Sequence, residues 1–184
     1  SYVFAVAFLD LDRFKSVNDT LGHHVGDELL RMVAARIQES VSDQDLVARL
    51  GGDEFVVLMR GIQSLDKAME VAGRICAQIA ERFMIGSHGI STAASIGVVL
   101  NSSGTRSSSE IMRDADIAMY RAKSAGSGRA LPFDSEMGQQ VSRRFSLQND
   151  LAKAIENDEF ELHYQPLVNP VDGTILGAEA LIRW

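Results

Sequence analysis

The stretch "DLVARLGGDEFVVLM", Asp45 to Met59, limits the possible folds more than any other part of the chain. Two apolar, β-forming runs, "DLVARL" and "EFVVLM", flank Gly51 and Gly52. A turn that needs positive φ, or close approach of another backbone, favours glycine, so the two runs are expected to form a hairpin. A hairpin is an antiparallel pair. Elsewhere helical patterns separate the strands, as in a parallel sheet. The two features together predict a mixed sheet with helices packed on it.

The flanking segments fit this frame. "YVFAVAFL", Tyr2 to Leu9, is a continuous apolar run, the pattern of a strand covered on both faces, and it ends in "DLD", Asp10 to Asp12. "RFKSVNDTLG" reads as a short helix running into Gly22. From Gly26 to Val41, Leu29, Leu30, Val33, Ile37 and Val41 recur near helical spacing. A long helix is expected over Ser64 to Phe83, with Ser64 as N-cap and Gly73 weakening its middle. A strand follows over Ser91 to Leu100, then a helix from Ser107 that ends at Gly126. "RALPF" closes the sheet as an edge strand, where Pro132 is tolerated. The order strand, helix, helix, strand, strand, helix, strand, helix, strand is that of an α/β (α+β) fold of the ferredoxin-like, split βαβ kind.

A second segment begins near Ser135. It reads as a connecting helix, a further helix, and two strands, "FELHYQPLV" and "ILGAEALIRW", around the turn "NPVDGT". Two strands and a helix cannot enclose a second core. With 184 residues, 46% of them apolar, the chain is long enough for one good domain and a little more. Residues 1–134 are expected to be that domain, and 135–184 the start of an unfinished one or an extension docked on the first. The chain opens without Met, in an apolar strand, and is expected to be a piece of a longer protein.

The chemistry is expected at the strand ends. Asp10 and Asp12 share one face of the first strand. If the hairpin pairs with that strand, Asp10 and Glu54 converge. Converging carboxylates repel unless one takes a proton or a cation binds, and hard oxygen ligands suit Mg²⁺. Either Asp alone would merely be solvated; Asp10 together with the Gly-Gly-Asp-Glu turn favours metal. The net charge of −7 counts against broad nucleic-acid binding. A small phosphate ligand would need a metal ion to offset local repulsion. The helix start after Asp12 can hold phosphate with its N–H groups and Lys15, while Asp12 can also serve as its N-cap. Asn18 and Asp27 suit the edge of guanine, or are a cap and a surface charge. Lys123 can reach a phosphate or be a solvated charge at a helix end. No cluster at zinc spacing surrounds His23 and His24, and "GSG" at Gly126 to Gly128 follows a helix, so neither is read as a site. The single Cys76 excludes an intrachain disulfide framework and reads as core in a reducing compartment. No apolar run is long enough to span a bilayer and no signal peptide is visible, so a cytoplasmic location without membrane contact is expected for this segment, whatever anchor the parent carries upstream.

"DLDRFKSVNDTLGHHVGDELL", "RLGGDEFVVL", "SIGVV" and "ADIAMYRAK", taken in order, resemble the successive motifs of the GGDEF domain, the bacterial diguanylate cyclase. The resemblance runs from Tyr2 to Phe133. It implies a nucleotidyl-cyclase-like fold of the βααββαβ type. It also implies condensation of two GTP into cyclic di-GMP with release of pyrophosphate, at a site formed between the protomers of a homodimer that can be transient. By position, Asp10 and Glu54 would hold Mg²⁺ (or Mn²⁺) with the Leu11 carbonyl. Asp53 would be a further ligand or help to deprotonate the ribose hydroxyl. Asn18 and Asp27 would bind guanine, and Phe14 and Lys15 would offer backbone N–H groups to phosphates beside the charge of Lys123.

Three departures carry expectations of their own. The family's inhibitory product site is an Arg-x-x-Asp before the turn; here Asp45 remains but Ser42 replaces the Arg, so feedback through that site is expected to be weak or absent. Many members follow the last-helix lysine with Gly-Arg-Asn; here Gly126, Ser127 and Gly128 stand there, which predicts weaker triphosphate binding unless Arg129 substitutes. The family segment preceding the first strand is absent, which is expected to loosen the nucleotide pocket. The tail, "LQNDLAKAIENDEFELHYQPLV" with "GAEALIRW", resembles the opening of an EAL domain, the cyclic di-GMP phosphodiesterase. Glu179, Ala180 and Leu181 would be its signature, and the rest of that domain would lie in the parent protein. This segment alone is expected to have no phosphodiesterase activity.

Overall fold

A computed structural model of the chain describes residues 3–102 and 106–184. Strand β1 (Phe4–Leu11) leads into helices α1 (Phe14–Leu21) and α2 (His23–Glu39). Tyr2, where the expected strand opens, lies outside the described residues. The hairpin follows as β2 (Leu46–Gly51) and β3 (Glu54–Arg60), then α3 (Leu65–Ala80). Two short strands, β4 (Phe83–Ile85) and β5 (His88–Ile90), precede β6 (Ala94–Asn101), α4 (Ser108–Ser124) and β7 (Ala130–Pro132).

The mixed sheet is as expected. Its strand order is β2-β3-β1-β6-β7. Strand β1 runs antiparallel to both β3 and β6, while β7 pairs parallel with β6 at the edge. Because β1 is central and covered on both faces, it lacks apolar–polar alternation. Ala5, Ala7, Leu9 and Leu11 pack with Phe55, Val57 and Met59 in the larger core, under α1 to α3. Val6 and Phe8 pack on the other face with Ile111, Ala115 and Met119 of α4. The period of two then places Asp10, in step with Val6 and Phe8, on the α4 side. Glu54 is in step with Val56 and Leu58, which pack on that same cluster.

Helix α4 rests on the sheet by close backbone approach at Gly97. A Cβ there would lie 2.0 Å from the Ala115 carbonyl oxygen and 2.3 Å from the Met119 nitrogen. Only glycine lets the helix sit so low. The helix begins with a capping box between Ser107 and Glu110.

Helix α3 stops short of its expected end. Ser64 caps its start as expected, but Glu81 is already extended and Phe83 belongs to the β4–β5 hairpin. Arg36 of α2 donates to the carbonyls of Gln78, Glu81 and Arg82, and its guanidinium lies 3.6 Å over the Phe83 ring. Arg74 of α3 in turn donates twice to the Ser40 carbonyl at the end of α2. Each helix thus supplies the cation that satisfies the other's terminal carbonyls.

The chain forms two compact units, Ser1–Gly138 and Gln139–Trp184. Where two successive helices are expected after Ser135, there is one, α5 (Ser135–Glu156). No proline interrupts it, and its one glycine, Gly138, lies near its start. Strands β8 (Glu161–Val168) and β9 (Ile175–Arg183) pair antiparallel as expected. Tyr164, Ile175, Ile182 and Trp184 remain exposed, since one hairpin cannot cover its own apolar side chains. No helix among the described residues is long and apolar enough to cross a membrane.

Candidate active site

The antiparallel register sets Asp10 directly opposite Glu54. Side chains so paired share a face, with Cβ atoms about 4.5–5.5 Å apart. Asp53 sits in the turn beside them, and its carbonyl accepts the Leu11 N–H at 3.4 Å. Burial, then the charge of Asp10, raises the Asp53 carboxyl above its usual value, while Lys123 and Arg49 pull it back.

One cation already meets these carboxylates. The Lys123 ammonium donates to Asp10 Oδ1 at 2.5 Å. Burial by itself would lower the Lys123 ammonium, but the hydrogen bond and charge of Asp10, with Asp12 and Asp53 behind it, raise it on balance. Lys123 therefore stands where a metal ion would be welcome, on one of the two carboxylates expected to hold it. Among the described residues no group of three or more His, Cys, Asp and Glu side chains could hold a metal ion by itself. Two paired carboxylates and a strand-end carbonyl fit Mg²⁺, which keeps several waters and takes the rest of its shell from substrate phosphates.

The turn leaves room for a ligand. Gly52 carries the positive φ, at 53°, and a Cβ on Gly51 or Gly52 would meet nothing within 4 Å among the described residues. Arg49 fixes the turn from below, donating through both Nε and Nη2 to the Gly52 carbonyl at 2.9 and 2.7 Å.

At the start of α1, Asp12 is not the N-cap. Arg13 occupies that position in a left-handed conformation, φ 62°, and no side chain among the described residues caps the helix. The N–H groups of Phe14 and Lys15 therefore have no partner within the helix and suit an anion. The Phe14 ring is buried in the larger core, and the Lys15 side chain is exposed. Asn18 lies one turn on, against α2. Its Oδ1 is buried without a hydrogen-bond partner among the described residues, and a Cβ on Gly26 would fall 1.9 Å from it. Asp27, next to Gly26, is exposed. The buried Asn18 oxygen and the exposed Asp27 carboxylate are of the residue types that pair with the edge of a nucleobase.

Three further residues, Asp116, Asp45 and Cys76, have surroundings of their own. Asp116 gave no sign in the sequence beyond its place two turns before Lys123 on one helical face. Burial of its carboxyl, then the charge of Asp10, raises it above the usual value. Asp45 uses both oxygens locally, accepting from Ser42 N at 2.9 Å and Arg60 N at 2.8 Å. Cys76 is core: its thiol donates to the Ala94 carbonyl, and burial, then the Asp12 charge, pushes it up to about 11.

Sheet and strand-end cluster together define a nucleotidyl-cyclase-like domain. The family described as "Diguanylate cyclase, GGDEF domain" matches residues 1–129, and the chain belongs to it. Over 181 residues it is 43% identical to the bifunctional diguanylate cyclase/cyclic di-GMP phosphodiesterase MucR of Pseudomonas aeruginosa, covering 98% of this chain and 26% of MucR. It is 42% identical over 180 residues to the cyclic di-GMP phosphodiesterase PdeR of Escherichia coli, covering 97% of this chain and 27% of PdeR. The chain spans about a quarter of the length of these relatives. Among solved structures, the GGDEF domain of YfiN (TpbB) from P. aeruginosa is similar with a TM-score of 0.73 and 36% identity, over 77% of this chain and 83% of that one. The GGDEF domain of DgcB from Caulobacter crescentus, in complex with c-di-GMP, is similar with a TM-score of 0.66 and 27% identity, over 71% of this chain and 78% of that one.

Proposed function

We propose that residues 1–134 are a diguanylate cyclase domain that condenses two GTP into cyclic di-GMP and releases pyrophosphate. The observation that carries this reading is the cross-strand pair Asp10–Glu54 with Lys123 already on Asp10. Each new bond forms when the 3′-oxygen of one GTP attacks the α-phosphorus of the other. The leaving group is pyrophosphate and the 3′-hydroxyl proton goes to a base. Asp10, Glu54 and the Leu11 carbonyl would hold Mg²⁺ or Mn²⁺, which when bound neutralises phosphate charge and activates the attacking oxygen. Asp53, in the turn beside them, would take the proton or help to hold the ion. The N–H groups of Phe14 and Lys15 orient the phosphates, Lys123 adds charge, and Asn18 with Asp27 reads guanine. One domain presents one GTP, so a homodimer, transient or stable, completes the reaction. We read residues 135–184 as a linker helix and the opening of an EAL domain, and place this segment in the cytoplasm whatever anchor the parent carries upstream.

A second reading has support. PdeR, named a phosphodiesterase, matches 97% of this chain over 27% of its own length, and Ser127 stands where many members carry Arg. In that reading the domain binds GTP with little turnover and regulates an adjoining EAL phosphodiesterase. Incubating micromolar protein with GTP and Mg²⁺ and resolving nucleotides by chromatography separates the two. Cyclic di-GMP is the expected product; saturable GTP binding without it transfers the case to the regulator.

The hydrogen bonds of Asp45 bear on inhibition. With both oxygens engaged and Ser42 lacking a guanidinium, Asp45 serves the hairpin base. Asp45→Ala is expected to lower stability by about 1–2 kcal/mol, read in thermal unfolding. Product inhibition, measured by adding cyclic di-GMP to the cyclase assay, is expected to be the same before and after the change. Inhibition that vanishes in Asp45→Ala contradicts this.

A further inference from the structure

Asp12 follows the strand that carries Asp10, yet it is neither the expected helix cap nor part of the paired carboxylates. It is only 4% exposed. Its Oδ1 accepts the Ser95 hydroxyl at 3.0 Å and its Oδ2 accepts the Gly128 N–H at 3.1 Å. Its backbone joins the same corner. The N–H donates to the Ala93 carbonyl at 2.9 Å, and the carbonyl accepts the Thr92 hydroxyl at 3.0 Å. One residue therefore ties the exit of β1 to the entry of β6 and to the loop between α4 and β7.

Packing alone does not call for a polar side chain here. Both side-chain donors are neutral, and a buried carboxylate carries a desolvation cost that an apolar side chain would avoid. The loop it grips is the one that leaves Lys123, the last-turn residue of α4 whose ammonium lies on Asp10. The Asp12 charge is also felt at that ammonium.

We propose that Asp12 is a positioning residue: by gripping the α4–β7 loop through Gly128 it holds Lys123 opposite Asp10, so that ammonium and carboxylates meet a nucleoside triphosphate as one preset group. The nucleotide part of this rests on the cyclase reading above; the grip on the loop does not.

Two variants separate geometry from mere filling. In Asp12→Asn the amide oxygen can accept from Gly128 N–H while the amide N–H donates to the Ser95 hydroxyl, which accepts as readily as it donates. Asp12→Ala keeps neither bond. Three readouts apply to each: amide hydrogen exchange at Gly128, the rate at which an amine-acylating reagent labels Lys123, and KM against kcat for GTP with Mg²⁺. Asp12→Ala is expected to speed Gly128 exchange and Lys123 labelling about tenfold and to raise KM about tenfold, with kcat little changed, because a ground-state phosphate contact is weakened. Asp12→Asn is expected to restore all three to within about threefold of the parent.

Wild-type KM and labelling in Asp12→Ala overturn the proposal. So does an Asp12→Asn protein with the Ala defects while its Gly128 amide stays protected. Should Asp12→Ala not fold, Asp12→Ser takes its place: its short hydroxyl cannot hold Ser95 and Gly128 together, and wild-type KM and Lys123 labelling with a freely exchanging Gly128 amide overturn the proposal. If the parent neither binds nor turns over GTP, the cyclase reading falls, and Gly128 exchange with Lys123 labelling alone decides whether Asp12 grips the loop.

Discussion

Glu54→Ala is expected to reduce cyclic di-GMP formation by more than about a hundredfold while leaving the domain folded. Loss of an outer-shell partner of a metal site costs about 10–100-fold in affinity or activity, and loss of a direct ligand costs more. The fold has no such dependence on Glu54. Its side chain projects at the end of β3, partly exposed, and the β1–β3 ladder is made by backbone groups that alanine retains. Removing one of two facing carboxylates also relieves repulsion in the free protein. The thermal midpoint of Glu54→Ala should therefore match or exceed that of the parent in buffer without metal. With Mg²⁺ and GTP the order reverses. The parent gains the stability that ligand binding confers, and the variant gains little. This crossing of two melting curves is the signature of a binding role, which a structural glutamate would not give. A variant that still makes cyclic di-GMP at a tenth of the parent rate, or melts well below it in plain buffer, would sink the assignment of Glu54.

How far the sequence foretold this arrangement follows from the range of each interaction. The Asp10–Glu54 pair was legible because it needs only two local facts, a strand ending in Asp and a glycine hairpin, plus the inference that they pair. The continuous apolar run of β1 likewise announces a strand covered on both sides. What escaped was fixed by contacts distant in the chain. Helix α3 ends where Arg36 of α2 receives its carbonyls, and no pattern within α3 marks that point. Asp12 has the spacing of an N-cap, but Ser95 and Gly128, 83 and 116 residues further on, claim its oxygens. Asn18 shows the opposite case. The sequence offers it as a cap or a base reader, and the fold leaves its Oδ1 buried and without a hydrogen-bond partner among the described residues, so it is not a cap. Lys123 was legible as a charge at a helix end, but its seat on Asp10 depends on how low α4 lies on the sheet.

That height is set at Gly97, and Gly97→Ala is expected to be the most destabilising single-methyl change in the domain. The added Cβ would meet the Ala115 carbonyl oxygen at 2.0 Å, the Met119 nitrogen at 2.3 Å and the Ala118 carbonyl carbon at 2.9 Å. All three are backbone atoms, locked in the hydrogen bonds of α4, and none can turn aside as a side chain would. Either the helix lifts from β6 or the strand bends. Lifting α4 opens the cluster that Ile111, Ala115 and Met119 form with Val6 and Phe8. Overpacking of this kind costs about 3 kcal/mol, the upper end of its usual range, because only backbone atoms face the added methyl. For a domain of this size that lowers the thermal midpoint by roughly 10 °C, as circular dichroism would report. The same substitution at Gly73 has the opposite sign. Gly73 lies exposed in the middle of α3, and its Cβ would meet nothing within 4 Å. Alanine there adds helix propensity and is expected to stabilise by about 0.5–1 kcal/mol. Because α4 also carries Lys123, the helix that rises at Gly97 takes the ammonium away from Asp10. Gly97→Ala protein that still folds at low temperature should thus label faster at Lys123 and bind GTP more weakly, a loss Gly73→Ala will not show. If Gly97→Ala melts within a degree or two of the parent, α4 does not rest on β6 as closely as described, and the placement of Lys123 loses its support.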